Sequence, residues 1–503
     1  MQVTLLESKD RLGGRVHSVN IMGDNDTATT VTTTTAIDLG GMYWHGSSPV
    51  WQKLKREWLD WETVPTGGTS MHPGQNQAVW MRMATTMIQT NNNTNDDGIK
   101  YTELSPRQME SAQSLFDEWQ AFMETSYLNH TSTHATAADT SRSSPELLQE
   151  WSNAAVSFVC HESVHHEQQQ EQRLLCETWL RFQLTMTFEL DHGLGLSEHA
   201  MPGLLTDWDW IDFAGEDPVS LRGMGYLVKL LADNIQAAGG MIQTNARVER
   251  ILYHKNDSCL VTTTDGNVYK ADACIVTLPL GVLKARATDM FVQPLSASKQ
   301  AALDRAGVGV LNTVVVQWKL PVCRSNATAY YLMKDSSDRN PLRHGFICSG
   351  MLRGQNPTIT QFYLGEINHP FDNHTYWKEQ AWKVVRDVVP FAVEMDDIVD
   401  LKLSQWHLDP DTLGSYSAPT TLTQGNSDRR LLAESIDNVV FFAGEHTHYQ
   451  GRYQSMDGAY ETGERAAREV ISRLRELQKK RELSEARQAS VAETCDQASK
   501  ERV

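Results

Sequence analysis

The stretch from Val3 to Arg15, VTLLESKDRLGGR, restricts what this 503-residue chain can fold into more than any other. Val3, Leu5 and Leu6 form a short apolar run of strand type that stops at an acid, Glu7. A basic turn follows at once, carrying Gly13 and Gly14 and closing on Arg15. Glycine lets main chain approach a phosphate closely, and arginine brings a charged, potentially bidentate donor. Strand, acid and glycine turn read as part of a nucleotide-binding α/β unit, whose ligand sits beyond the carboxyl ends of parallel strands. The pattern returns near the C-terminus. NVVFFAGEHT reads as a buried strand running into a glycine turn, and GAYETGERAAREVISRL as a helix. Between them, GMGYLVKLLADNIQAAGG reads as a helix, and residues 241–284 as Val/Ile/Thr-rich strands broken by a turn at Asp265 and Gly266.

The length allows two or more domains with separate cores. A net charge of -18 argues against nucleic acid as a partner and mildly favours cationic ligands or simple solubility. No run of about 18 uncharged apolar residues is present, so no membrane-spanning helix is expected. The cysteines, Cys160, Cys176, Cys259, Cys274, Cys323, Cys348 and Cys495, are scattered and odd in number, with no CxxC. They read as no disulfide framework, which makes a reducing, cytoplasmic setting the simplest inference. Against it stand N-x-[ST] sequons at Asn25, Asn92, Asn129, Asn256, Asn326 and Asn373, a pattern that also arises by chance in an Asn/Thr-rich chain. Polar stretches near 88–98 and 129–172 read as insertions. The second holds His161, His165 and His166 beside Glu162 and Glu167, but the Gln/Glu tract that follows indicates a solvated segment, and no metal site is expected. The tail 476–503 is charged and poor in apolar residues, and reads as a frayed helix or disordered.

Five segments, VTLLESKDRLGGRVHS, DLGGMYWHG, ADACIVTLPLGVLK, WHLDPDTLGSYS and FFAGEHTHYQGRYQSMDGAYETGERAA, stand in the order seen in the flavin-containing amine oxidases. The chain resembles that superfamily of polyamine oxidases, monoamine oxidases and lysine-specific histone demethylases from residue 1 to about 472. The resemblance implies noncovalent FAD as cofactor, a small cationic amine and dioxygen as substrates, and roles for named residues. Glu7 is placed to accept hydrogen bonds from the adenosine ribose, with Gly13, Gly14 and Arg15 at the pyrophosphate. Gly40 and Gly41, with Met42 and Tyr43, bring main chain to the isoalloxazine ring. Val248 resembles the residue that holds adenine, Trp406 and Tyr416 match aromatics near the ring, and Gly444 and Glu445 resemble a ribityl or pyrophosphate contact. Ser455 and Met456 precede a helix beginning near Asp457, whose N-terminus would face the flavin pyrimidine edge. His45, in YWHG, is similar to a substrate-facing histidine of polyamine oxidases; Ser455 stands where monoamine oxidases carry an aromatic, and Tyr453, two residues earlier and read as catalytic, makes a pattern closer to polyamine oxidases and histone demethylases. Ser415 stands where monoamine oxidases carry the cysteine that bonds the flavin.

Two departures from the family pattern bear on chemistry. A lysine that holds water near flavin N5 is replaced by Thr313, in GVLNTVVVQW, and a hydroxyl brings no positive charge. In the superfamily a first strand and its G-x-G-x-x-G turn precede the segment with which this sequence opens. Met1 therefore reads as an internal methionine of a longer protein, or the assigned reading frame as missing a first exon; without that strand, FAD is expected to bind weakly.

The expected fold is α/β: a Rossmann-like FAD-binding domain, N-terminally truncated, from 1–68, 218–290 and 400–475, and a mixed α+β substrate domain from 69–217 and 291–399. The expected function is oxidation of an amine C–N bond, with a polyamine first among substrates, by hydride transfer to flavin N5 and release of hydrogen peroxide. An L-amino-acid oxidase or monoamine oxidase is the alternative, the former needing an arginine for the substrate carboxylate. From a different class, a non-catalytic remnant unable to hold FAD would explain both departures.

Overall fold

The computed structural model describes residues 2–22, 34–58, 61–65, 77–83, 100–103, 114, 169–195, 198, 213–255, 257–323, 329–333, 339–354, 356–365, 367–389, 391–420 and 422–500. It is a mixed α/β structure. The polar insertion 88–98, most of 129–172 and the His161 cluster lie outside the described residues.

Two short parallel pairs hold the strands that lead to Glu7 and to Gly444. Thr4–Leu6 pairs with Met241–Gln243, and Cys274–Val276 with Val440–Phe442. Among the described residues neither pair gains a third strand. The helix Met224–Ala237 feeds the first pair through a turn at Gly239 and Gly240. The strands read between 241 and 284 form an antiparallel meander, Val248–Tyr253, Cys259–Thr263 and Val268–Ala271, with Gly266 at a left-handed φ of 85° in its tight turn. Leu280, Leu283, Val440 and Phe442 pack with Ile251 and Phe291 into one core under these elements.

The other large element is a seven-stranded sheet in the order Ile398–Leu403, Asn312–Trp318, Ile359–Leu364, Gly345–Ile347, Ala329–Met333, Gln77–Met83 and Lys100–Glu103. Asn312–Trp318 has neighbours on both sides and is buried at every position, as its Val-Val-Val run requires of a strand covered on both faces. The helix His374–Val388 covers this sheet with Trp377, Ala381, Val384 and Val385, against Val314, Trp318 and Phe362. Full burial of a valine or phenylalanine side chain of this kind contributes about 1.5–3 kcal/mol.

The structure corrects the cysteine reading. Cys323 and Cys348 form a disulfide, and Cys176 is disulfide-bonded too. The error has a plain source: bonded cysteines 25 positions apart leave no mark of spacing, and only the sheet brings them together. Cys259 and Cys274 remain thiols. The last helix also exceeds expectation. It runs from Met456 to Lys500 without a break, through the tail read as frayed or disordered. Among the described residues no helix is long and apolar enough to cross a membrane.

Candidate functional site

A cavity of about 1500 Å³ runs between the two parallel pairs and on toward the seven-stranded sheet. Glu7, Gly13, Gly14, Arg15, Gly40, Gly41, Met42, Tyr43, His45, Val248, Thr313, Trp406, Tyr416, Gly444, Glu445, Tyr453, Ser455 and Met456 all line it, brought together from distant parts of the sequence.

At one end Glu7 Oε1 accepts from Lys9 N at 2.8 Å and Ser8 Oγ at 3.2 Å, and Lys9 pairs with Asp409 at 2.5 Å. The turn behind it depends on its glycines. Gly13 has φ +102°, and a Cβ there would stand 2.6 Å from Val16 O. A Cβ on Gly40 would stand 1.9 Å from Arg15 O, so two main-chain segments pass with no room for a side chain. Arg247 pairs with Asp411 at 2.8 Å, and Arg286 reaches Val248 O at 3.4 Å, on this same side of the cavity.

Midway, the carboxylate of Glu445 is buried and spent on protein. It accepts from Arg15 Nη1 at 3.1 Å, Ser417 N at 3.0 Å, Ser417 Oγ at 2.6 Å and Gln454 N at 2.9 Å. Burial alone would raise its pKa, but Arg15, His446 and these donors outweigh burial and hold it below the usual value. Glu445 thereby ties the glycine turn, the strand Tyr416–Ala418 and the approach to the last helix into one unit. Ser455 caps that helix, its Oγ accepting from Gly458 N at 3.0 Å, and Met456 begins it. Trp406 Nε1 donates to Leu39 O at 3.2 Å, beside Gly40.

Toward the far end the wall turns aromatic and acidic. Tyr331, Tyr363, Tyr416 and Tyr453 line it with Asp191, Asp217, His45 and Thr313. Tyr416 donates to Leu190 O at 2.9 Å, and burial, then the charges of Asp191 and Glu445, raise its pKa well above the ordinary value. Burial raises Tyr331 in the same way, with Tyr363 and Asp191 adding to it. These phenols therefore stay neutral. Asp217 accepts from Gly46 N at 2.9 Å and stands 3.8 Å from His45 Nδ1. The Arg429 guanidinium lies 3.7 Å over the Tyr453 ring. Thr313 is buried and its main chain is locked to Ser404 by two hydrogen bonds, Thr313 N donating to the Ser404 side-chain Oγ at 2.7 Å and Ser404 N donating to Thr313 O at 2.9 Å.

Sequence reasoning missed Asp191, Asp217, Tyr331, Tyr363 and Gln454, which lie in no recognisable pattern. Gln454 has a left-handed φ of 62°, a backbone cost that marks a constrained site. Its Oε1 is 3.2 Å from His192 Nδ1, while its buried Nε2 makes no hydrogen bond among the described residues. An unspent buried donor on the wall of a cavity with glycine-lined main chain fits a ligand rich in carbonyl acceptors, as a flavin ring is.

The family described as "Flavin containing amine oxidoreductase" matches residues 1–471. Among curated proteins, "Lysine-specific histone demethylase 1 homolog 2" of Arabidopsis thaliana is 28% identical over 294 residues, 56% of this chain and 38% of that protein. "Polyamine oxidase 4" of Oryza sativa subsp. japonica is 30% identical over 274 residues, 54% of this chain and 52% of that protein. "Lysine-specific histone demethylase 2" of Homo sapiens is 26% identical, covering 58% of this chain and 35% of that protein. The chain thus spans between about a third and a half of the length of these relatives.

Proposed function

Because this chain belongs to the flavin containing amine oxidoreductases and its cofactor is accordingly FAD, we propose that it oxidises the C–N bond of a polyamine. The observation that carries this substrate class is the pair of carboxylates, Asp191 and Asp217, set among neutral tyrosines on the cavity wall. Such a wall suits an extended polycation, with carboxylates to pair its ammonium groups and aromatic faces between them. The arginines that line the cavity among the described residues, Arg15, Arg247 and Arg286, are engaged with Glu445, Asp411 and Val248 toward the nucleotide end. Among the described residues that line the aromatic end none is an arginine, the group that an amino acid's carboxylate would call for.

In this reading Glu7, Gly13, Gly14, Arg15 and Val248 hold the adenosine and pyrophosphate of FAD, bound noncovalently. Gly40, Gly41, Met42, Tyr43, Trp406, Gln454 and the helix end at Ser455 and Met456 surround its ring. FAD held there would supply the redox chemistry, as acceptor of a hydride from the carbon beside the amine nitrogen, with dioxygen as the final oxidant and hydrogen peroxide as its product. The protein's part is orientation and dryness. Tyr453, fixed by Arg429, and Tyr416 wall the reacting carbon from water; His45, beside Asp217, faces the amine; the Thr313 hydroxyl holds a water without adding charge. The nucleotide end is proposed to be built from 1–68, 218–290 and 400–475, and the substrate end from 69–217 and 291–399.

The test is anaerobic reduction of the FAD-loaded protein, followed by flavin absorbance, with spermine or spermidine, a monoamine, an L-amino acid and a dimethyl-lysine peptide. Fast bleaching by the polyamines alone is expected, slowed at least tenfold by Asp191→Asn through weaker binding. Preference for the methyl-lysine peptide would move the assignment to a demethylase, as the names of two of the relatives suggest.

A further inference from the structure

Two features of this chain have no part in amine oxidation and point the same way. The first is the disulfide between Cys323 and Cys348, with Cys176 disulfide-bonded as well. Disulfides of this structural kind form and persist in oxidising compartments and are rare where thiols are kept reduced. Cys348 is fully buried and Cys323 nearly so, at 6% exposed, within the core of the seven-stranded sheet. The second feature is the sequon Asn373-His374-Thr375, in which the middle residue is not proline. Of the six sequons it is the one whose asparagine lies among the described residues.

We propose that Asn373 carries an N-linked glycan and that the chain folds in an oxidising compartment that transfers such glycans. Asp372, Asn373, His374 and Thr375 are all exposed. The reason lies in the helix they open. His374–Val388 turns Trp377, Ala381, Val384 and Val385 into the core, which leaves its first residues projecting outward. Asn373 is the N-cap of this helix, and it caps through Oδ1, which accepts from Tyr376 N at 3.0 Å. Glycosylation uses the other atom of the amide. The Nδ2–C1 bond forms as the sugar C1–O bond to a lipid-linked pyrophosphate donor breaks; the amide nitrogen gives up one proton and the pyrophosphate leaves with the electron pair. Oδ1 keeps both its lone pairs, so the cap survives the modification. A bulky solvated group is thus accommodated at this position without loss of a fold contact.

The test uses the protein isolated from its own cells. After proteolysis the peptide containing Asn373 should be found as a glycopeptide, and peptide-N-glycosidase should release the glycan and leave an aspartate in place of the asparagine. An unmodified Asn373 peptide as the sole form overturns the proposal. Two variants produced in the same cells guard against misfolding. Asn373→Asp keeps the capping oxygen and Thr375→Ala keeps Asn373 itself, yet each destroys the sequon. Both should migrate faster than wild type by one glycan, with the difference abolished by the glycosidase; unchanged migration of the two variants overturns the assignment. In non-reducing digests Cys323 and Cys348 should appear as one linked peptide pair, and their recovery as alkylated free thiols overturns the compartment.

Discussion

Replacing Glu445 with alanine should unfold more than it unbinds. The carboxylate accepts four hydrogen bonds, two from the main-chain N–H groups of Ser417 and Gln454, and it pairs with Arg15. Removal leaves two main-chain donors unpaired, that of Ser417 buried and that of Gln454 partly so, at up to about 1–3 kcal/mol each, and strips a partly buried guanidinium of its partner. Breaking a buried pair from one side costs about 3–5 kcal/mol in all. These costs overlap because one side chain carries them, so a loss of about 4 kcal/mol is expected, a large share of a typical stability of about 5–15 kcal/mol. Glu445→Gln, which keeps one acceptor oxygen and the shape, should lose about half as much. The assay is urea unfolding followed by circular dichroism without added flavin, with FAD retention measured separately. A wild-type unfolding midpoint for Glu445→Ala, together with lost FAD, would refute the reasoning and leave Glu445 a ligand contact alone.

Three further outcomes are expected. His446 is buried, and burial first, then nearby Arg15, Lys299 and Arg465, lower its pKa to about 4 despite Glu445. The unfolded chain therefore binds a proton near pH 6.5 that the fold refuses, and stability falls as pH drops from about 6.5 to 4, by about 3 kcal/mol from this group; His446→Gln should flatten that limb, and an unchanged acid limb would contradict the assignment. Gly40→Ala should cost at least about 1–3 kcal/mol by overpacking against Arg15 O, seen as a lowered melting temperature and weaker FAD binding together. Thr313→Lys should speed either reduction by amine or reoxidation by dioxygen, followed by stopped-flow absorbance; a wild type already fast in both steps and slowed by the lysine would show that the hydroxyl suffices.

The sequence was most readable where short-range chemistry dictates backbone. The left-handed Gly13 and Gly14, the tight turn at Gly266 and the strand Val440–Phe442 running to Gly444 could all be placed from residue types, because only glycine takes such φ values without strain. Every cofactor and catalytic position named from sequence lines one cavity, though lining does not establish its role. What stayed hidden is what depends on distant pairing. Nothing in the run around Cys323 announces Cys348, and the acids Asp191 and Asp217 come to line one cavity with the tyrosines only in the folded chain. Glu445 was visible as a site residue, but its bonds to Ser417 and Gln454, which make it a strut of the fold, were not.

Whether the cavity works as a flavin amine oxidase is tested most directly by incubating the purified protein with FAD, removing the unbound portion, and adding spermidine without oxygen. The expected result is a yellow protein whose flavin bands bleach on addition of the amine and return when air is admitted, with hydrogen peroxide formed. A folded protein that stays colourless after FAD, or a yellow one that no amine bleaches, would contradict it.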